Sequence, residues 1–160
     1  MTWLTFFQNF LKNPSIGAIL PSSRYISQYI EKSLPKDLNM VIGKLYAIEL
    51  NHAFAQELKN IKDSRFSIFE GDIARTLNDK NFPSHSFDAI ISGIPFSFIK
   101  KDVREEIIKK TADLLNTKGI FLVYQTSFLV LPLLKKYFST VEKGVELKNL
   151  PPYFIMIAKK

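Results

Sequence analysis

The chain contains no cysteine, which excludes disulfide staples and thiolate metal sites. No apolar run approaches the roughly 18 residues that a spanning helix requires, so an integral membrane protein is not expected. The apolar N-terminus has no basic flank before it and no small-residue cleavage site after it, which argues against a secretory leader. Glycine is also scarce. The six glycines stand at positions 17, 43, 71, 93, 119 and 144, no two of them close together, so no glycine-rich phosphate-cradling loop can be assembled from them. His52 and His85 have no ligating partner visible in the sequence and read as surface histidines; no metal site is expected.

What is present describes one compact α/β domain over residues 1–160, because 46% hydrophobic residues supply a core and no repeat, low-complexity tract or linker divides the chain. A net charge of +7 favours anionic partners, either nucleic acid or anionic lipid head groups. Trp3, Leu4, Phe6, Phe7, Phe10 and Leu11 share one helical face, with Thr2, Thr5, Gln8, Asn9 and Lys12 on the other. Asn13-Pro14 ends that helix, and a second one starts at Ser22-Ser23. Strand patterns follow at about 44–49, 66–69, 87–91 and 120–124. Helical patterns lie at 53–61 and 103–115, the latter opened by Asp102 and Glu105 in capping-box spacing. This alternation predicts a mostly parallel sheet with crossover helices. After a helix near 128–137, the runs 140–147 and 153–158 predict a closing antiparallel pair.

Three strand ends carry the chemistry: Tyr46 to Asn51, Phe69 to Asp72, and Phe87 to Pro95. Ligands of parallel sheets bind at such carboxyl edges. Glu49 is placed to accept hydrogen bonds from the vicinal hydroxyls of a ribose, and Asp72, after Gly71, from an exocyclic amine such as that of adenine. A lone acid closing a strand more often caps the following helix. Two on successive strands, followed by Ser92-Gly-Ile-Pro95, favour a nucleoside site.

With these residues in view, the sequence resembles the class I S-adenosylmethionine-dependent methyltransferases, and among them the bacterial phospholipid N-methyltransferases. Phe10-Leu-Lys-Asn-Pro-Ser-Ile-Gly-Ala-Ile-Leu-Pro-Ser-Ser-Arg24 resembles that family's N-terminal signature, Ser92-Gly-Ile-Pro95 its fourth motif, and Asn149-Leu-Pro-Pro152 its closing segment. The resemblance implies a Rossmann-like methyltransferase fold with an N-terminal helical extension over 1–33, S-adenosylmethionine as cofactor, and the head-group amine of phosphatidylethanolamine as acceptor. It implies that Glu49 and Leu50 contact the ribose, Asp72 and Ile73 the adenine, and Ser92, Gly93, Ile94 and Pro95 the reacting methyl group. Phe96 is the first candidate for an aromatic face that stabilises the methylated, cationic product, with Phe98, Tyr124, Tyr25 and Tyr153 as further candidates. Pro21, Ser22 and Ser23 would join Tyr25, Phe98 and Tyr153 on the substrate side.

The same resemblance places the protein in the cytoplasm, peripheral at the inner membrane, contacting anionic lipid through the amphipathic helix Trp3 to Leu11. Gln8-Asn9-Phe10-Leu11 gives a weaker resemblance to ribosomal RNA adenine dimethyltransferases, whose fourth motif differs from Ser92-Gly93. A nucleic-acid partner is not expected without a dedicated basic surface.

The chain departs from the family at its first motif. A glycine-rich turn should follow the first strand, yet Val41-Ile42 runs through Gly43 straight into Lys44-Leu-Tyr-Ala-Ile48. Parallel neighbours need a crossover of about a dozen residues or more, so one glycine cannot join two such strands. In the preferred reading a loop and helix of roughly twenty residues is missing from the sequence near 42–44, and the native enzyme is whole. Otherwise Met40 to Ile48 forms one longer strand, cofactor affinity falls, and the protein is a non-catalytic membrane-binding relative.

Overall fold

The computed structural model describes residues 44–78, 82–148 and 151–160. The helices expected near the N-terminus, with Trp3 to Leu11, Pro21, Ser22, Ser23 and Tyr25, lie outside the described residues, as does the path through Val41, Ile42 and Gly43. The chain divides into two compact units, Met1–Thr76 and Leu77–Lys160.

The described part of the first unit is a parallel βαβ element. Strand β1 (Leu45–Glu49) leads into helix α1 (His52–Lys59), which returns the chain to strand β2 (Phe66–Glu70). The two strands pair in parallel, Leu45 opposite Phe66 and Glu49 opposite Glu70. Asn51 starts α1 by accepting the Phe54 amide on its side chain at 3.3 Å, the bond that an N-cap asparagine supplies to an otherwise unpaired donor. Ala55 and Leu58, one helical turn apart, are its buried positions. A single turn, α2 (Ile73–Thr76), follows β2.

The second unit holds a four-stranded sheet in the order β3-β4-β6-β5. Strand β3 (Phe87–Ser92) runs parallel to β4 (Leu115–Gln125) through the crossover helix α3 (Lys101–Leu114). Helix α4 (Leu131–Tyr137) then leads to β5 (Thr140–Glu146) and β6 (Tyr153–Lys159), and β6 lies antiparallel to both β4 and β5. The expected closing antiparallel pair is present. The sheet is less parallel than expected: two strand pairs in the described residues are parallel and two antiparallel.

Burial follows position in the sheet. Ile120, Phe121, Leu122 and Val123 of β4 are all buried, the continuous apolar run of a strand covered on both faces, whereas strand β5 has no fully buried residue. Helix α3 buries Ile107, Ile108, Thr111, Ala112 and Leu114, a stripe of helical period.

Three expected boundaries move. Helix α3 begins two residues early, at Lys101, and no side chain caps it; Asp102 falls in its first turn, where an acid suits the helix dipole. Glu105 does not close a capping box. It accepts instead from Lys136 Nζ at 2.6 Å and Tyr137 Oη at 2.7 Å, which fastens α3 to α4. Strand β4 starts at Leu115 rather than Ile120, with a register irregularity opposite Phe87 to Ala89. Within it the Asn116 side chain accepts the Lys118 amide at 2.9 Å, and Gly119 has no room for a Cβ, which would come within 2.8 Å of Leu115 Cδ2. Helix α4 begins at Leu131 rather than near Phe128, with Pro132 in its first turn.

Candidate active site

In the first unit the parallel register brings two of the expected acids to neighbouring strand tips. The Gly71 amide donates to the Glu49 carbonyl at 2.9 Å, so the tip that ends in Glu49 lies beside the one that ends in Asp72. Glu49 uses Oε1 to accept the Asn51 amide at 2.7 Å, which fixes the turn into α1 and leaves Oε2 without a hydrogen bond among the described residues. Asp72 is a helix cap: its Oδ1 accepts the amides of Ala74 at 2.9 Å and Arg75 at 3.3 Å, and its carbonyl accepts the Thr76 amide at 2.9 Å. Its Oδ2 makes no hydrogen bond among the described residues. Each acid thus spends one oxygen on the fold and keeps one for a donor. Leu50 is 70% exposed beside Glu49, and Ile73 is half-buried beside Asp72.

Sequence reasoning missed Glu70. Alternation along β2 turns it away from the neighbouring tip residues and onto α1, where it meets His52 Nδ1 at 2.6 Å and Lys59 Nζ at 2.8 Å. The Lys59 ammonium, and after it His52, hold the Glu70 carboxyl below the ordinary range. His52 is exposed as expected and has this carboxylate as its partner. His85 is exposed too, at a positive φ of 57°, with Nδ1 2.9 Å from Lys160 Nζ. Among the described residues no group of three or more His, Cys, Asp or Glu could hold a metal ion.

In the second unit the tip of β3 is a built turn. The Ile94 amide donates to Ser92 Oγ at 3.3 Å, and the Phe96 amide to the Ile94 carbonyl at 2.9 Å. A short 3-10 turn, Phe96–Phe98, follows. Two residues that end β4 hold this turn. The buried Gln125 accepts the Phe96 amide on Oε1 at 3.3 Å and donates through Nε2 to the Ser127 carbonyl at 2.9 Å. The Tyr124 ring lies against Gly93 so closely that a Cβ there would come within 2.6 Å of its hydroxyl oxygen. Gly93 and Pro95 are exposed, whereas Ser92 is buried and Ile94 half-buried.

Two of the aromatic candidates are buried. Phe96 is fully buried, whereas Phe98, in the same short turn, is 80% exposed. Tyr153 is buried behind Tyr124, the two rings 5.9 Å apart and edge to face, and burial pushes its phenol up. Gln125 is a residue holding this turn that the sequence hides. Its only sequence mark is that it is the polar residue closing an otherwise apolar run.

No protein-family model matches the chain, and no curated protein matches it in sequence. Among solved structures it is similar to spermidine synthase from Thermotoga maritima, with a TM-score of 0.58 at 16% identity over 74% of this chain and 46% of that one. It is similar to 1,6-didemethyltoxoflavin-N1-methyltransferase from Burkholderia thailandensis, whose structure holds S-adenosylhomocysteine, with a TM-score of 0.59 at 14% identity over 73% of this chain and 61% of that one. A putative S-adenosylmethionine-dependent methyltransferase from Listeria monocytogenes gives 0.55 at 12% identity over 74% and 81%. The chain thus spans about half the length of the spermidine synthase structure. At these identities the likeness establishes the fold: an α/β, methyltransferase-like Rossmann fold.

Proposed function

We propose that the protein is an S-adenosylmethionine-dependent N-methyltransferase that acts on the head-group amine of phosphatidylethanolamine, as a peripheral protein on the cytoplasmic face of the inner membrane. The observation that carries the reading is the pair of parallel strand tips at Glu49 and Asp72, each with one carboxylate oxygen left over from capping work. Those oxygens fit the hydroxyls of a ribose and the amine of an adenine, the polar groups of the cofactor's nucleoside. The structural neighbours add support, since two of the three are methyltransferases by name and one of those holds S-adenosylhomocysteine.

S-adenosylmethionine, when bound, supplies a methyl group on a sulfonium centre. The chain's own contribution is alignment and exclusion of water. Glu49, with Leu50 beside it, would hold the ribose, and Asp72, with Ile73, the adenine. In the second unit, Gly93 presents exposed backbone beside the Tyr124 hydroxyl. Ser92 Oγ accepts the Ile94 amide and so shapes the turn. The lipid part of the proposal rests on the N-terminal signature Phe10 to Arg24 and on the amphipathic stretch Trp3 to Leu11. No helix of the described residues is long and apolar enough to cross a membrane, which is compatible with peripheral binding.

Purified protein given methyl-labelled cofactor and vesicles containing phosphatidylethanolamine is expected to yield labelled lipid. Label appearing on soluble amines but never on lipid would refute the acceptor. The scattered glycines favour a second reading, a relative that binds membranes without catalysis. Calorimetric titration with S-adenosylhomocysteine separates the two, because absence of binding at millimolar concentration supports the second reading alone.

A further inference from the structure

The exposed large apolar side chains of residues 77–160 gather at one edge of the sheet. They are Phe98 at 80%, Leu129 at 43%, Val145 at 43% and Leu147 at 75% exposed. Strand register fixes their place. Phe98 follows the turn at the end of β3, and that turn is tied to Gln125 at the end of β4 through the Phe96 amide. Gln125 stands opposite Phe154, which stands opposite Val145 across the β5–β6 pair. The Phe154 ring lies 4.3 Å from that of Phe128, the residue before Leu129, and Leu147 follows the end of β5. The opposite edge of the sheet has no exposed large hydrophobic residue among the described ones.

Charge accompanies these tips. Exposed Lys100 and Lys101 follow Phe98, exposed Lys143 precedes Val145, and exposed Lys148 follows Leu147. Asp102, Glu105 and Glu146 are nearby acids; Glu105 is paired with Lys136 and also feels Lys101, and Glu146 accepts the Lys148 amide at 2.9 Å. Lys118, Lys159 and Lys160 lie toward the opposite edge, so only the carboxyl edge combines cations with protruding apolar groups.

We propose that this edge is an insertion surface for an anionic lipid bilayer. A folded protein partner would need a continuous apolar area of several hundred Å² and a standard interface of about 800 Å² on each side. Here the four apolar groups sit on three segments, the Phe98 turn, Leu129 and the end of β5. Three of the four have a lysine within two residues. Separate tips can enter the acyl boundary while the lysine stems lie along it and their ammonium groups remain among anionic head groups. In this respect the inference rests on the proposed lipid acceptor: the edge also holds the Ser92 to Phe96 turn, so a bilayer docked here would bring head groups to it.

The test is co-sedimentation of the full chain with vesicles of phosphatidylglycerol and phosphatidylcholine. The Phe98→Ser/Leu147→Ser variant is expected to weaken binding at least tenfold with an unchanged circular dichroism spectrum. Lys100→Glu/Lys101→Glu/Lys148→Glu should abolish the dependence on phosphatidylglycerol, and Lys118→Glu should bind within twofold of the parent. Three results would overturn the proposal: no vesicle binding by the parent, parental binding by the first two variants, or an effect of Phe98→Ser/Leu147→Ser on self-association in light scattering without one on vesicles. Methylated phosphatidylethanolamine formed in detergent by a protein that ignores vesicles would refute the edge and keep the acceptor. Vesicle binding that depends on the edge without any methylated lipid would keep the edge and refute the acceptor.

Discussion

Replacing Gly93 with alanine tests how the turn after β3 is built. The backbone there is not in the left-handed region, so alanine is conformationally allowed and the only obstacle is space. An added Cβ would meet Tyr124 at 2.6 Å from the hydroxyl oxygen, 2.7 Å from Cζ and 3.0 Å from Cε2. All three atoms belong to one ring, itself edge-on to Tyr153, so relief requires that ring to leave its rotamer or the turn to lift. Overpacking of this kind costs about 1–3 kcal/mol. The assay is a double-mutant cycle by urea unfolding of the parent, Gly93→Ala, Tyr124→Leu and the double variant. Tyr124→Leu removes every atom in the clash, so Gly93→Ala in that background should cost less than about 0.5 kcal/mol, giving a coupling of at least about 0.5 kcal/mol. Equal costs of Gly93→Ala in both backgrounds would show that Tyr124 does not set the turn, and the account of Gly93 given above would fall.

Three further outcomes are expected. Glu49→Gln removes the charge that strengthens a carboxylate–hydroxyl bond and should weaken S-adenosylhomocysteine binding by about tenfold to a hundredfold, read by calorimetry, with the unfolding midpoint nearly unchanged; unaltered affinity refutes the ribose role. Phe96→Ala empties a fully buried site and should lower stability by about 3–5 kcal/mol, whereas Phe98→Ala should change it by less than about 0.5 kcal/mol; the reverse order would contradict this difference in burial. Asp63 is held down to about 2 by its side-chain bond from Arg65, and Glu70 and Glu105 lie below 4.5 through Lys59 and Lys136. Lowered carboxyl values stabilise the folded chain above the unfolded value and lose that contribution as pH falls through the folded one. The thermal midpoint should therefore hold steady from pH 7 down to about 4.5 and fall between there and pH 2, less so in 1 M salt because these pairs are exposed; a midpoint that rises on acidification contradicts the pairing.

The strands were legible wherever an apolar run stopped abruptly, as at Glu49, Ser92 and Gln125, most clearly in β4, where Ile120 to Val123 are buried on both faces and leave an uninterrupted hydrophobic string. What the sequence concealed came from contacts distant along the chain. Asp102 and Glu105 have capping-box spacing, but Glu105 finds Lys136 and Tyr137, 31 and 32 residues away, and the local bond loses. Asn116 to Gly119 falls between the expected helix and the expected strand yet belongs to β4, since Asn116 bonds its own strand and Gly119 accepts the close approach of Leu115. The acids at 49 and 72 were recognisable as strand-end residues, and at Asp72 one oxygen caps the following turn while the other makes no hydrogen bond among the described residues. Depth was hidden most completely. Nothing local separates Phe96 from Phe98, although one is fully buried and the other 80% exposed.

The order β3-β4-β6-β5 has a consequence for how this unit comes into being. The strand latest in the sequence, Tyr153–Lys159, lies in the interior of the sheet, and β5 pairs with no other strand among the described residues. During synthesis β3, α3 and β4 can assemble while β6 is still unmade, exposing the apolar edge of β4 from Ile120 to Tyr124. The nascent protein must guard that edge until its final strand slots in, so trimming a few residues from β6 would undo the sheet from its middle rather than fray its margin.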